Sequence, residues 1–132
     1  MAFGVNALAS QGNATAIGRD AQATSTNAIA VGLFSKASGN VAVAIGMNST
    51  ALANESMAIG AFANSSENNG LALGTNAQAI AVNAMALGTE SYANTLDAFA
   101  AGLRSRATGV NSMALGMLSN ASNTNAFSAG SC

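Results

Sequence analysis

The residue types that most often carry catalysis or hold metals are scarce in this chain. Histidine is absent, the one cysteine is the last of 132 residues, Cys132, and the acids are limited to Asp20, Glu55, Glu67, Glu90 and Asp97. Without an imidazole there is no Ser/His or Cys/His arrangement for nucleophilic catalysis and no Cys/His spacing for zinc. The five acids are spaced so that no pair is expected to flank one reaction centre. Dense Gly-Gly-x-Gly-x-Asp repeats, which would hold calcium, are also missing. The sequence therefore predicts a protein that is not an enzyme and takes no metal or cofactor. Cys132 cannot form a disulfide within the chain, which leaves an unpaired thiol or a link between chains.

Charge excludes further classes. Four basic residues and a net charge of -1 do not make the electrostatic footprint of nucleic-acid binding or a polybasic membrane patch. No run of eighteen apolar residues occurs, and the first twenty lack a charged start followed by an apolar core, so neither direct membrane insertion nor a signal peptide is expected of this segment. Only 7% of residues are charged and 5% aromatic, with no proline. A mixture of Ala, Asn, Ser and Gly this rich is disordered when aperiodic and close-packed when it repeats.

It repeats. Glycine recurs every fourteen residues, at Gly4, Gly18, Gly32, Gly46, Gly60, Gly74, Gly88, Gly102, Gly116 and Gly130, so residues 1–132 read as one domain without a linker. Two positions before the glycine stand Ala16, Ala30, Ala44, Ala58, Ala72, Ala86, Ala100 and Ala114. The positions one and three before it are large and apolar: Ile17, Ile29, Val31, Val43, Ile45, Met57, Ile59, Leu71, Leu73, Met85, Leu87, Phe99, Met113, Leu115 and Phe127. Three residues after the glycine only Ala or Ser occurs, and five after it Ala is replaced once, by Ser65.

Alternation with a period of two is the signature of a strand, because successive side chains leave opposite faces. Each repeat is predicted to hold two strands, one from four residues before the glycine to the glycine and one from three to six after it, with Asn, Ser, Gly and Thr in the turns. Ten such coils, stacked at the inter-strand spacing of about 4.8 Å, form a parallel β-solenoid roughly 45 Å long. The alanines are expected to face the roll interior, where the small columns of the second strand press against them; Ala84, Ala86 and Gly88 of "NAMALG" belong to that side. The large ladder then faces outward and needs a cover, since burying each such side chain stabilises by roughly 1.5–3 kcal/mol. Identical chains meeting along a shared axis would supply it. Phe99 and Phe127 share their strands with Ala101 and Ala129, a large-for-small exchange suited to a packed layer. The competing arrangement puts the large side chains inside a self-sufficient monomer and the alanines outside.

Two outward columns remain. Asn or Asp stands nine residues after the glycine at Asn13, Asn27, Asn69, Asn83, Asp97, Asn111 and Asn125, as turn residues or as a ligand-facing amide ladder. Four residues after the glycine, Gln22, Lys36, Gln78, Tyr92 and Arg106 are the best candidates for a ligand face.

The stretches "NAIAVGLFSKA" (27–37), "NAMALGTESYA" (83–93) and "NSMALGMLSNA" (111–121) resemble the N-S-V-A-I-G-x-x-S-x-A repeat of trimeric autotransporter adhesin heads, the YadA-like head, over essentially the whole chain. That resemblance implies a left-handed parallel β-roll and a homotrimer with the large ladder at its three-fold axis. It also implies a module at the bacterial cell surface, anchored in the outer membrane through parts not in this chain. Its partner would be a host extracellular-matrix protein or cell-surface ligand, and its role cell adhesion and virulence. Repeats of this type also occur in phage fibres, so a structural segment of a tail fibre or extracellular filament is the alternative.

Overall fold

In a computed structural model, residues 1–130 are described; Cys132 lies outside them. Nineteen short strands run from β1 (Ala2–Phe3) to β19 (Phe127–Ala129). The odd-numbered strands form a ten-stranded parallel sheet and the even-numbered ones a nine-stranded parallel sheet, each strand pairing with the one a coil away. Nine full circuits result, because no second strand follows β19 among the described residues. The register never slips: Leu71 pairs with Met85 and Met85 with Phe99, Ala72 with Ala86 and Ala86 with Ala100. Among the described residues there is no helix, so none is long and apolar enough to cross a membrane.

The strands are shorter than the alternation implies. β13 is Met85–Leu87 and β14 is Tyr92–Ala93. Turn hydrogen bonds account for the difference: the Ala84 amide donates to the Ala81 carbonyl at 3.0 Å and the Ser91 amide to the Gly88 carbonyl at 3.2 Å. Gly88 itself leaves the extended region, with a φ of +125°.

The roll interior consists of small side chains. Ala16, Ala30, Ala44, Ala58, Ala72, Ala86, Ala100 and Ala114 are fully buried, facing Ala23, Ala37, Ala51, Ala79, Ala93 and Ala107 of the other sheet. The residue four before the glycine is also interior, as at Ala28, Ala42, Ser56, Ala84 and Ser112. Serine substitutes for alanine here because a turn carbonyl accepts its proton. The hydroxyls of Ser35, Ser49, Ser91, Ser105 and Ser119 each donate to the carbonyl of the glycine three residues earlier, at 2.8–3.0 Å. A buried hydroxyl satisfied in this way avoids the cost of an unpaired polar group.

The recurrent glycine is fixed by contact as well as conformation. A β-carbon on Gly88 would stand 2.8 Å from the Gly102 carbonyl oxygen, and similar collisions recur from Gly4 to Gly102. Each coil thus rests backbone to backbone on the next.

Both turns of every coil pass through a left-handed residue. Positive φ values near 58° occur at Asn6, Asn13, Asp20, Asn27 and onward every seventh residue to Asn125. Asparagine and aspartate tolerate this region best. That requirement explains the Asn/Asp column nine residues after the glycine, and the same demand falls two residues after it, where Phe34, Phe62, Glu90, Arg104 and Leu118 comply at a cost in strain.

Candidate functional site

The outer surface of the second sheet carries the candidate ligand face. The register sets Gln78 beside Tyr92 and Tyr92 beside Arg106, so these three are consecutive rungs. The Arg106 guanidinium lies over the Tyr92 ring, 4.7 Å from its centroid, a cation–π stack that covers one face of the only tyrosine. Gln22 and Lys36 form a separate adjacent pair. Lys36 is four rungs from Tyr92, or about 19 Å at the inter-strand spacing. Gln22, Lys36 and Arg106 are exposed, Gln78 and Tyr92 partly so. The face offers amides, one aromatic edge and two separated cations.

The opposite outer surface, on the first sheet, is the apolar ladder. One column runs Ile17, Val31, Ile45, Ile59, Leu73, Leu87, Ala101, Leu115, and the other Ile29, Val43, Met57, Leu71, Met85, Phe99, Met113, Phe127. All are outside the roll, and in the single chain Ile29, Ile45, Met57, Leu73, Met85 and Met113 are 37–43% exposed. The arrangement with the large side chains inside is therefore not adopted: the space between the sheets admits nothing larger than serine. A continuous apolar stripe of this length is far beyond the patches that soluble monomers ordinarily expose.

The turn edges hold features that column reading of the sequence missed. Arg104 Nε lies 2.6 Å from Glu90 Oε2 one coil away, an exposed pair in which the guanidinium holds the Glu90 carboxyl below its usual range and is itself raised. Asn69 donates to Asn83 and Asn83 to Asp97, at 3.1 and 2.9 Å, linking the left-handed residues of successive coils. A notch of about 360 Å³ opens between Met85 and Phe99, with Ala98 as floor and Asn83 and Asp97 on the rim. Elsewhere a depression of about 390 Å³ is lined only by uncharged polar groups, among them Gln11, Thr24, Thr26 and Asn40. The apolar turn residues Phe34, Phe62 and Leu118, about half exposed, gave no periodic signal because polar residues share their column. Among the described residues no three His, Cys, Asp or Glu side chains gather to hold a metal.

The family model described as the YadA head domain repeat, two copies per match, fits residues 1–21, 23–49, 51–77, 79–105 and 107–131. The chain belongs to the YadA head family. A solved YadA relative has the same architecture: the collagen-binding domain of the Yersinia adhesin YadA aligns with a TM-score of 0.64 and 32% identity. That alignment covers 89% of this chain and 65% of the Yersinia domain, so this YadA-type head spans about two thirds of its relative. No curated protein matches the sequence. The all-β parallel solenoid is thus the fold of YadA heads, with about nine turns here.

Proposed function

We propose that this chain is a non-enzymatic head module of a bacterial surface adhesin, a rod that assembles as a homotrimer and attaches to extracellular-matrix protein. The observation that carries the reading is the match to YadA head repeats across the whole chain together with the likeness to a collagen-binding domain. The apolar ladder supports the assembly. The Ile, Leu and Met side chains still 37–43% exposed in the single chain each contribute roughly 0.6–1.2 kcal/mol when covered, and three ladders meeting on one axis would cover one another. With that face occupied, the second sheet points outward and presents Gln22, Lys36, Gln78, Tyr92 and Arg106.

Light scattering on the isolated head tests the assembly, and a stable monomer would refute it. Ile45→Asp or Leu87→Asp places an unpaired charge at the axis and is expected to dissociate the assembly, whereas Gln78→Asp is tolerated. Binding of the trimer to immobilised collagen, compared with a variant changed at Lys36, Tyr92 and Arg106, tests the attachment. A trimer that binds no matrix protein would make the rod a structural segment instead.

A further inference from the structure

In the assembly proposed above, successive parallel rods meet edge to edge. The strands of the first sheet run across the rod, so the carboxyl end of each strand in one copy abuts the amino end of the equivalent strand in the next. The turn after the glycine on one copy therefore faces the turn before the strand on its neighbour, at the level of the same coil. At one level the two edges complement each other. The amino edge carries the notch between Met85 and Phe99 with Asp97 on its rim. The carboxyl edge carries Leu103, 45% exposed, followed by Arg104, whose Nε is engaged by Glu90 while its other donors point to no acceptor among the described residues.

We propose that, in the assembly proposed above, this notch seats Leu103 of the partner subunit while Asp97 accepts from Arg104 of the partner subunit, locking the rods edge to edge beside the axis. On the amino edge apolar exposure clusters near this height, Val41 apart, while the carboxyl edge also exposes Val5, Met47 and Phe62 at other heights, so it is the notch and the Asp97 and Arg104 charges that single out this level. Val82, Leu96 and Val110, 38–48% exposed, flank the notch, whereas the equivalent positions in earlier coils are Thr26, Asn40, Asn54 and Asn68. On the facing edge Leu103 is followed one coil later by Met117, 53% exposed. A lock at one height fixes the register of the three rods, which the repetitive axial ladder alone leaves free to slip by a coil.

The test is a cysteine pair, Asp97→Cys with Leu103→Cys, in full chains carrying Cys132→Ser. Within one chain the two positions lie in the turns at opposite ends of β15 (Phe99–Ala101), with a three-residue strand of roughly 10 Å between the turns, beyond the reach of a disulfide. Mild oxidation is expected to give a covalent trimer on a non-reducing gel, and neither single variant is expected to do so. In addition, Leu103→Asp is expected to raise the concentration at which the trimer dissociates by roughly tenfold or more. A head that is trimeric by light scattering yet gives no covalent trimer, or whose dissociation is unchanged by Leu103→Asp, overturns the edge lock and leaves the trimer standing. A monomer by light scattering overturns the assembly and the lock together.

Discussion

Ser65 and Gly70 share one space in the roll interior: a β-carbon on Gly70 would lie 2.5 Å from the Ser65 hydroxyl oxygen. Each breaks its own column, Ser65 among alanines and Gly70 where the other coils carry Ala or Ser. The Ser65 hydroxyl is buried without a hydrogen-bond partner, so it occupies volume and is compensated by none of the turn carbonyls that serve the other serines. Gly70→Ala alone is expected to destabilise by about 1–3 kcal/mol through overpacking. Ser65→Ala alone, which removes an unpaired hydroxyl, is expected to be neutral or mildly stabilising. The double variant should melt at or above the parent. Additive effects in urea or thermal unfolding would disprove the coupling.

The glycines are not equivalent. Gly88→Ala combines a left-handed backbone with a contact of 2.8 Å to the next coil and should cost roughly 2–6 kcal/mol. Gly12 has nothing within 4 Å of a prospective β-carbon, and Gly12→Ala should be silent. Circular dichroism melts of the two variants give the comparison, and similar melting temperatures would contradict the stacking argument.

Val41 is the one β-branched side chain in the left-handed series, with a φ of +59°. Its column neighbours are Asn27 and Glu55, and most other coils place Asn or Asp there. Val41→Asn is therefore expected to relieve about 1 kcal/mol of strain and raise the melting temperature by a few degrees. A lower melting temperature would show that Val41 makes a contact worth more than the strain, as it would in an edge between copies.

Acid should find the Glu90–Arg104 pair. The Glu90 carboxyl is depressed below its ordinary 4.5 by the hydrogen bond and charge of Arg104, so the folded state binds its proton less readily than the unfolded chain does. Stability from this source is complete above pH 4.5 and is lost as the pH falls through the folded value. The pair lies at the surface, so the effect is small and screened by salt. Parent and Glu90→Gln melting temperatures should converge as the pH is lowered through this range, and should differ least in about 1 M salt. A difference that widens with acid would reverse the assignment.

Much of the fold is written in the columns. Ala86 cannot grow because the opposite sheet touches it, and Met85 and Leu87 stand in the outward ladder, where only Ala101 and Ala129 of the column of Leu87 are small and each shares its strand with a Phe, so an alternation of large and small persists through the repeats. What sequence alone hid is conformational. The left-handed demand two residues after the glycine falls on Asn6 and Asn48 but also on Phe34 and Arg104, because a residue other than glycine meets it at a cost of only about 1–2 kcal/mol and selection on the turn is weak. The coil count differed for a similar reason: ten glycines mark ten first strands, yet only nine second strands stand between them. On the candidate ligand face, the spacing gave Tyr92 and Arg106 as neighbours. That the guanidinium stacks on the ring depends on side-chain torsions, which no periodicity encodes.

The backbone contact between successive glycines makes the length of the rod a separate variable from its stability. Every coil offers the same small interior and the same carbonyls to the coil above and below, so a block of fourteen residues can be gained or lost by recombination between repeats without redesign of a core. Each event moves the tip by one ladder step of about 4.8 Å. A shift of seven residues would be refused, even though the left-handed turns recur at that interval. It would bring Glu67, Thr95 or Asn123 to the position where only glycine fits. The reach of such a surface protein can therefore evolve in whole coils, by copy number alone.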